Sequence, residues 1–295
     1  MSSATTITAC ANCGKGEKES VNLKSCNACH MVKYCSRECQ VAHRPQHKKA
    51  CKKRAAELHD EKLFKDPPSP EECPICMLPL PIESSKTAFN SCCGKSICIG
   101  CIYAMVMSEG KDLCAFCRTP PARDDTEDIK RVKNLIEKGN GEAFCTLSGW
   151  YHAGRYGMPQ DQQKANELCL RGGELGCAKA YFNLGDSYRL GRGVEVDKKK
   201  AKHYYELAAM GGDLTARNKL GALEGNAGNH YRAFKHFIIA ARAGHEKSLE
   251  GVKHGFKVGL VTKDEYASTL RAYQQIKTEM KSDAREKAEA SGMFR

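Results

Sequence analysis

Residues 26–51, CNACHMVKYCSRECQVAHRPQHKKAC, dictate how the first part of the chain can fold. They hold a Cys-x2-Cys pair, a Cys-x3-Cys pair and a closing His-x3-Cys pair, and another Cys-x2-Cys pair precedes them at Cys10 and Cys13. Two residues between cysteines form a tight knuckle that points both sulfurs at one ion, and these eight side chains suffice for two tetrahedral zinc sites. His43 could share the helical face of His47, but it is surplus, so we expect a surface histidine.

The cysteine content divides the chain into two halves. Of 18 cysteines in 295 residues, 15 lie between Cys10 and Cys117. The first residues lack the apolar core of a secretory signal, and no apolar run reaches the length of a membrane span. In a reducing compartment, paired cysteines bind metal more often than they form disulfides. We therefore expect zinc-dependent folding in the first half, a cytoplasmic or nuclear location, and no membrane insertion.

The formal net charge of +12 suggests nucleic acid as a partner. Zinc-bound cysteines are thiolates, however, and four zinc ions held mainly by cysteine would lower the net charge to about +5. That value is ordinary for this length, so we do not expect nucleic-acid binding. A basic cluster has two interpretations, a nuclear localisation signal or the favoured solvated helix face. It comprises Lys48, Lys49, Lys52, Lys53 and Arg54.

The first cysteine block resembles the MYND zinc finger, through the motifs YCSRECQ and HKKAC. The resemblance covers residues 8–54 and implies two interleaved sites. One ion would be bound by Cys10, Cys13, Cys35 and Cys39, and the other by Cys26, Cys29, His47 and Cys51. MYND fingers commonly bind proline-containing peptides in a groove lined by a Gln and a Trp. Gln40 matches the first, whereas Arg44 replaces the Trp, which leaves peptide binding at Gln40 open.

Residues 55–70 are predicted as a linker helix followed by a proline-rich segment. The sequence DPPSP, residues 66–70, ends the helix, because consecutive prolines cannot continue one. We place the first domain boundary here.

The second cysteine block, residues 71–121, resembles a RING finger through the motifs CPIC and CAFCR. In that family the first and third cysteine pairs share one ion, and the second and fourth pairs share the other. The resemblance implies one site of Cys73, Cys76, Cys98 and Cys101, and a second of Cys92, Cys93, Cys114 and Cys117.

The sequence SCCGKSICIGC, residues 91–101, departs from the common RING pattern, because Lys95 stands at the position of a histidine. A protonated lysine has no lone pair to give to zinc. All-cysteine RING variants carry two cysteines before the same glycine, so Cys92 and Cys93 would complete the site on a strained backbone. The alternative is a site of three cysteines with water or another ligand.

The RING resemblance also implies a partner, a ubiquitin-conjugating enzyme, whose ubiquitin thioester such a finger orients without covalent chemistry. The matching docking positions are Ile75, Ile102, Phe116 and Arg118. A planar, permanently charged guanidinium suits a bridge between two proteins. The alternative interpretation is that the apolar side chains cover the zinc sites and that the arginine is a solvated surface charge.

Internal repetition dominates residues 127–275. The motif LSGWYHAG at Leu147 returns as LGDSYRLG at Leu184 and as LGALEGNAG at Leu220. Each unit is predicted as two helices, and stacked units bury a core that no single unit can bury. The predicted N-caps of the second helices are Asp161, Asp197 and Asn229, the closing glycines are Gly176, Gly212 and Gly244, and the small contact residues are Ala165, Ala201 and Ala233.

The repeats resemble Sel-one-like repeats, which serve as protein-binding solenoids, and a degenerate fourth unit, residues 249–273, would cap the stack. The remaining cysteines, Cys145, Cys169 and Cys177, lack metal spacing and are expected to be free and buried. Residues 276–295 are predicted as a polar tail that frays.

The sequence thus predicts a multidomain protein, with two small zinc-stabilised fingers (MYND and RING) followed by an all-α solenoid of helix-pair repeats and about four zinc ions. The main functional hypothesis is a RING-type ubiquitin-protein ligase without a covalent catalytic residue, which recruits protein substrates or peptide motifs through the repeats and the MYND finger. The alternative is a non-enzymatic zinc-finger adaptor.

Overall fold

The structure, a computed structural model, describes residues 8–16, 21–109 and 113–293. Residues 110–112 of the predicted second finger and residues 294–295 of the predicted tail lie outside these ranges. The chain divides into two compact units, of which one ends at Lys65 and the other begins at Asp66.

The first unit is built around a small antiparallel ribbon and one long helix. Strands β1 (Lys24–Ser25) and β2 (Lys33–Tyr34) pair, and helix α1 (Arg37–Leu63) follows them. Ser36 caps α1 by accepting a hydrogen bond from a backbone N–H of its first turn. The predicted linker helix is not a separate element. It continues the finger helix without a break, because residues 52–63 contain neither glycine nor proline.

The second unit begins with the second cysteine block. Strands β3 (Thr87–Asn90) and β4 (Lys95–Cys98) form an antiparallel hairpin after a short 3-10 turn at Ser84–Lys86, and helix α2 (Ile99–Glu109) follows directly. The hairpin loop carries Cys92 and Cys93, and Cys98 and Cys101 lie at the end of β4 and the start of α2, so this ββα arrangement positions one cysteine pair for each of the two predicted sites.

Successive helices after the second block pack against one another, as the repetition predicts. They are α3 (Asp125–Glu137), α4 (Gly141–Ala153), α5 (Gln162–Glu174), α6 (Ala178–Leu190), α7 (Lys198–Met210), α8 (Leu214–Asn226), α9 (His230–Arg242), α10 (Glu246–Lys257) and α11 (Lys263–Glu279). The predicted all-α array of stacked helix pairs is confirmed.

The local signals of the repeats are mostly confirmed. The carboxylates of Asp161 and Asp197 cap α5 and α7, and the alanines predicted at the helix contacts are at most 3% exposed. The predicted closing glycines adopt the left-handed conformation, with φ between 91° and 99°. Asn229 is the exception, because its side chain does not cap α9 and instead donates to the Glu224 carboxylate at 2.8 Å.

The predicted frayed tail is wrong. Residues after Met280 form helix α12 (Asp283–Ser291), which packs against α2 of the second cysteine block. Ser282 caps α12, and Arg285 and Ala288 are buried, at 5% and 1% exposure. A polar sequence forms an ordered helix here because one face is covered by the finger, which tertiary packing supplies and local propensity does not.

Candidate metal centres

The structure gathers the predicted ligands into four tetrads, in each of which the ligand atoms lie within 4.8 Å of one another. The tetrads are Cys10, Cys13, Cys35 and Cys39 (site 1), Cys26, Cys29, His47 and Cys51 (site 2), Cys73, Cys76, Cys98 and Cys101 (site 3), and Cys92, Cys93, Cys114 and Cys117 (site 4). A tetrahedron with Zn–S bonds of 2.3 Å has sulfur–sulfur edges of about 3.8 Å. This edge length is the test that each site must meet.

Sites 1 and 2 interleave around the β1–β2 ribbon and the start of α1. In site 1, the sulfur of Cys35 lies 3.5 Å from each of the sulfurs of Cys13 and Cys39. In site 2, the sulfurs of Cys26 and Cys51 are 3.8 Å apart. The sulfur–sulfur distances in both sites are thus close to the edge length expected for a zinc tetrahedron.

The spacing along α1 determines which histidine completes site 2. His47 Nε2 lies 3.2 Å from Cys29 Sγ, and the side chain is only 9% exposed. His43 is one turn earlier, stacks on the His47 ring and exchanges a 3.1 Å hydrogen bond with the Tyr34 hydroxyl through Nδ1. The structure therefore leaves His43 outside both tetrads of this finger and gives it a supporting position.

Site 3 contains two fully buried ligands. Cys73 and Cys98 are both 0% exposed. The sulfurs of Cys73 and Cys101 lie 3.8 Å apart, and those of Cys76 and Cys98 lie 3.9 Å apart. The geometry matches a zinc tetrahedron with ligands from two knuckles.

Site 4 contains both adjacent cysteines. Cys92 Sγ lies 3.4 Å from Cys117 Sγ, and Cys93 Sγ lies 3.9 Å from Cys114 Sγ. The pair sits in the four-residue loop of the β3–β4 hairpin, and Gly94 closes that loop in the left-handed conformation, with φ 68°. This turn lets neighbouring side chains converge, so the structure favours the four-cysteine arrangement over the three-cysteine alternative.

The electrostatics of the tetrads call for a cation. Burial, together with hydrogen bonds from neighbouring thiols, raises the pKa of Cys101 in site 3 and of Cys92 in site 4. Four adjacent thiols cannot all ionise unless a positive charge compensates them. Zn²⁺ supplies that charge, prefers sulfur and nitrogen ligands and accepts a closed tetrahedral shell, which is typical of structural sites. All four donor sets thus fit zinc, and the prediction of about four ions agrees with them.

The predicted docking residues of the second cysteine block fall into two groups. Ile75 and Phe116 lie on zinc knuckles and are 41% and 46% exposed, so they do not serve mainly to cover the metal. Ile102 is half-buried against the cysteine core. Arg118 is exposed, and its backbone is left-handed, with φ 61°.

The predicted peptide-binding position of the first finger lies on the solvent side of α1. Gln40 and Arg44 are both exposed, and Val41 between them is 60% exposed. This face carries one apolar side chain and two hydrogen-bonding side chains, without a tryptophan.

The three cysteines outside the tetrads are closer together than their spacing indicates. Cys145 and Cys169 are buried in one cluster, and Cys177 packs against it, half-buried, at the N-terminus of α6. A hydrogen bond from Cys145 lowers the pKa of the Cys177 thiol against the opposing effect of burial, and the Ala180 backbone assists. Sequence spacing missed this cluster, because its members come from α4, α5 and the turn before α6.

A cleft lies between the hairpin of the second cysteine block and the first repeats. The cleft between β3 and helices α4 and α6 has a volume of about 530 Å³. Phe89 and Trp150 form part of its apolar lining, and its polar lining includes both cations and carboxylates: Arg155, Lys179, Asn183, Glu71 and Glu142. Sequence reasoning did not identify this cleft, because it depends on how the finger packs against the repeats.

Comparison with known families identifies two of the modules. Residues 10–51 match the MYND finger, and residues 147–177, 178–213 and 215–245 match the Sel1 repeat. The first finger and the helix-pair array therefore belong to these families, as their motifs predict.

Curated relatives match only part of the chain. It is 35% identical over 104 residues to the chitin synthase regulator SKT5 of Saccharomyces cerevisiae, which is 35% of this chain and 15% of that protein. It is 32% identical over 103 residues to the ERAD-associated E3 ubiquitin-protein ligase component HRD3B of Arabidopsis thaliana, which is 34% of this chain and 16% of that protein. The chain thus spans about a sixth of the length of either relative.

Among solved structures, one similar protein is c5321, a protective antigen of uropathogenic Escherichia coli strains with an SLR fold. The two are 22% identical, with a TM-score of 0.47 over 63% of this chain and 38% of that one. No helix among the described residues combines the length and apolar character that crossing a bilayer requires.

Proposed function

We propose that the chain is a zinc-stabilised adaptor that holds two protein partners, one on the MYND finger and one on the Sel1 array. The observation that carries this proposal is the presence of a protein-binding type of module in each of the two compact units. The names of the two relatives, a regulator of an enzyme and a component of a ligase, support a role that assists another protein's chemistry.

The cleft between β3 and the first repeats is the proposed partner site of the second unit. Concave surfaces with an apolar floor and a few polar groups are the default binding sites of proteins. Trp150 and Phe89 supply the floor, and Lys179 and Asn183 lie on the α6 side. An extended peptide with an apolar side chain and a few polar groups fits this lining.

The test is a peptide-display selection on the full-length, zinc-loaded protein, followed by sorting on two variants. An adaptor with two sites yields two peptide classes, one weakened by Gln40→Ala and the other by Lys179→Glu. Lys199→Glu, an exposed charge change on α7, is the matched control for the second variant. If neither substitution weakened the binding of any enriched peptide, the two-site proposal would be contradicted.

Ubiquitin ligation through a RING-type second finger is the second candidate function. The exposure of Ile75 and Phe116 supports it, because buried metal covers would not leave about half of each side chain accessible. A conjugating enzyme that packs on these two residues would meet Arg118 immediately after the last cysteine.

Self-ubiquitination against a panel of ubiquitin-conjugating enzymes tests this candidate. Ladders that vanish in both Ile75→Ala and Arg118→Ala, but persist in the repeat-surface control Val196→Ala, support the ligase. If protein that carries about four zinc ions forms no ladders, the ligase candidate is rejected and the adaptor proposal remains.

A further inference from the structure

Arg285 on α12 is a buried cation with an unusual set of partners. It is 5% exposed, and its Nη1 donates to the carbonyl oxygens of Pro79 at 2.8 Å and Met280 at 2.7 Å. Its Nη2 donates to the Leu78 carbonyl at 3.4 Å and to Cys76 Sγ at 3.5 Å. Among the described residues, Arg285 donates to backbone carbonyl oxygens and to one sulfur of site 3, and to no carboxylate.

A guanidinium is expensive to bury unless an anion compensates it. Carbonyl oxygens accept from its two Nη groups but carry no net charge, and its buried Nε has no hydrogen-bond partner among the described residues. Site 3 provides the missing anion, because four thiolates around one Zn²⁺ leave a net charge of −2. The sulfur of Cys98 lies 3.9 Å from that of Cys76. The charge of the Cys98 thiolate also stabilises the protonated guanidinium of Arg285.

The approach of α12 to site 3 depends on a glycine between two ligands. Gly100 separates Cys98 from Cys101, and a Cβ atom added there would lie 2.7 Å from both Cγ and the backbone nitrogen of Arg285. Real Cβ atoms do not tolerate such a distance to backbone, so any larger residue would push α12 away. Farther out, Lys86 of the 3-10 turn and Glu289 of α12 form a partly exposed ion pair at 2.9 Å, which also links α12 to the second cysteine block.

We propose that Arg285 is a positioning residue of zinc site 3, which offsets part of the negative charge of the tetrathiolate centre, donates to Cys76 and thereby fastens helix α12 onto the second finger. Donors to metal ligands fix ligand orientation and tune the metal. A charge-assisted N–H···S bond withdraws electron density from the thiolate, which makes that sulfur less reactive toward electrophiles and holds the ion longer.

The test measures alkylation of the full-length, zinc-loaded protein by N-ethylmaleimide, with mass spectrometry resolving each cysteine. Arg285→Gln keeps N–H donors for the carbonyls but removes the charge, whereas Arg285→Lys keeps the charge. We expect Cys76 and Cys98 to react about 10-fold faster in Arg285→Gln, with rates largely restored in Arg285→Lys. The site 4 cysteines Cys92 and Cys117 serve as the internal reference in every sample.

Two further variants separate the proposed role from simple support of the fold. Gly100→Ala, which retains the guanidinium but displaces it, should raise the same two rates, and it keeps the test open if Arg285→Gln does not fold. Glu289→Gln, which breaks only the exposed ion pair on the same helix, should change neither. Unchanged rates at Cys76 in Arg285→Gln, or an equal rise at all four sites, would overturn the proposal.

Discussion

The fingers and the helical repeats of this chain are stabilised in opposite ways. The buried members of the finger cores are cysteines together with Tyr34 in the first and Ile97 in the second, and a few partly buried apolar side chains pack around them. The repeats bury alanine, leucine and aromatic residues between helices. A finger of this size has too small a hydrophobic core to fold alone, so metal binding must supply the free energy. Separate segments of one chain are thus stabilised by zinc binding and by helix packing.

Removal of zinc gives the largest expected effect. Structural zinc contributes roughly 10–16 kcal/mol of binding free energy in small fingers, so a strong chelator should unfold the segment from Cys10 to Cys117. The repeats should keep their helical circular dichroism, because their core contains no metal ligand. A single transition in which zinc and all helical signal disappear together would show that the repeats also depend on zinc.

Loss of one ligand gives the next largest effect. His47→Ala removes the nitrogen ligand of site 2, and we expect zinc content to fall from about four to about three ions per chain. His43→Ala is the matched control on the same helix face and removes the hydrogen bond to Tyr34 and the stacking on His47, but none of the tetrad ligands. Elemental analysis of the two purified variants measures the difference. Equal zinc loss in both would mean that His43 also binds metal.

The stability of the repeats should depend instead on their buried polar network. Glu224 is 2% exposed and accepts from Lys202 at 2.7 Å and from Asn229 at 2.8 Å. Burial raises the pKa of Glu224, but these hydrogen bonds and the charges of Lys202 and Arg232 outweigh it and lower the pKa to about 2. Glu224→Gln should reduce the free energy of unfolding at pH 7 by about 3 kcal/mol.

The pH dependence of that difference follows from the direction of the shift. A carboxyl with a lowered pKa in the folded state stabilises the protein above its unfolded pKa of about 4.3, and this contribution is lost as pH falls toward 2. The gap between wild type and Glu224→Gln in urea denaturation should therefore narrow in acid. Glu250→Gln, an exposed control on α10, should change stability by less than about 0.5 kcal/mol and leave zinc content unchanged.

The smallest expected effect concerns the cysteines of the repeats. The pKa of Cys177 is lowered, chiefly by its hydrogen bond from Cys145, whereas burial raises the pKa of Cys169 to about 11. Because the thiolate is the reactive form, iodoacetamide should label Cys177 first, and from a lower pH than Cys169. Zinc removal should accelerate labelling of the fingers without changing the rate at Cys177. A rate at Cys177 that follows chelation would show that the two segments are coupled.

Sequence spacing predicts the features that repeat at fixed intervals. Knuckles of Cys-x2-Cys place ligands by local geometry alone, and the recurring Leu and Gly positions of the repeats mark helix contacts and helix ends. The tetrads and the helix pairs were predictable for this reason. The adjacent Cys92 and Cys93 were harder, because their convergence depends on the hairpin turn that ends at Gly94.

The features that sequence did not predict depend on contacts between distant residues. The sequence of helix α12 is polar and predicts a tail. Its helix forms because the second finger covers Arg285 and Ala288, a contact that the local sequence does not show. The cysteine cluster around Cys145 and the bond from Asn229 to Glu224 similarly require the packing of neighbouring helices. Local propensity and spacing carry no signal for such pairings.

The docking of α12 has a consequence for the order in which the chain can be completed during synthesis. Arg285 follows Cys76 by 209 residues, so the ribosome delivers the knuckle long before the arginine that covers it. Site 3 can collect its four cysteines early, but its outer face stays open until nearly the whole repeat array has emerged. A product that stops within the repeats would display an uncapped finger, and the closed finger thereby marks a chain translated through α12.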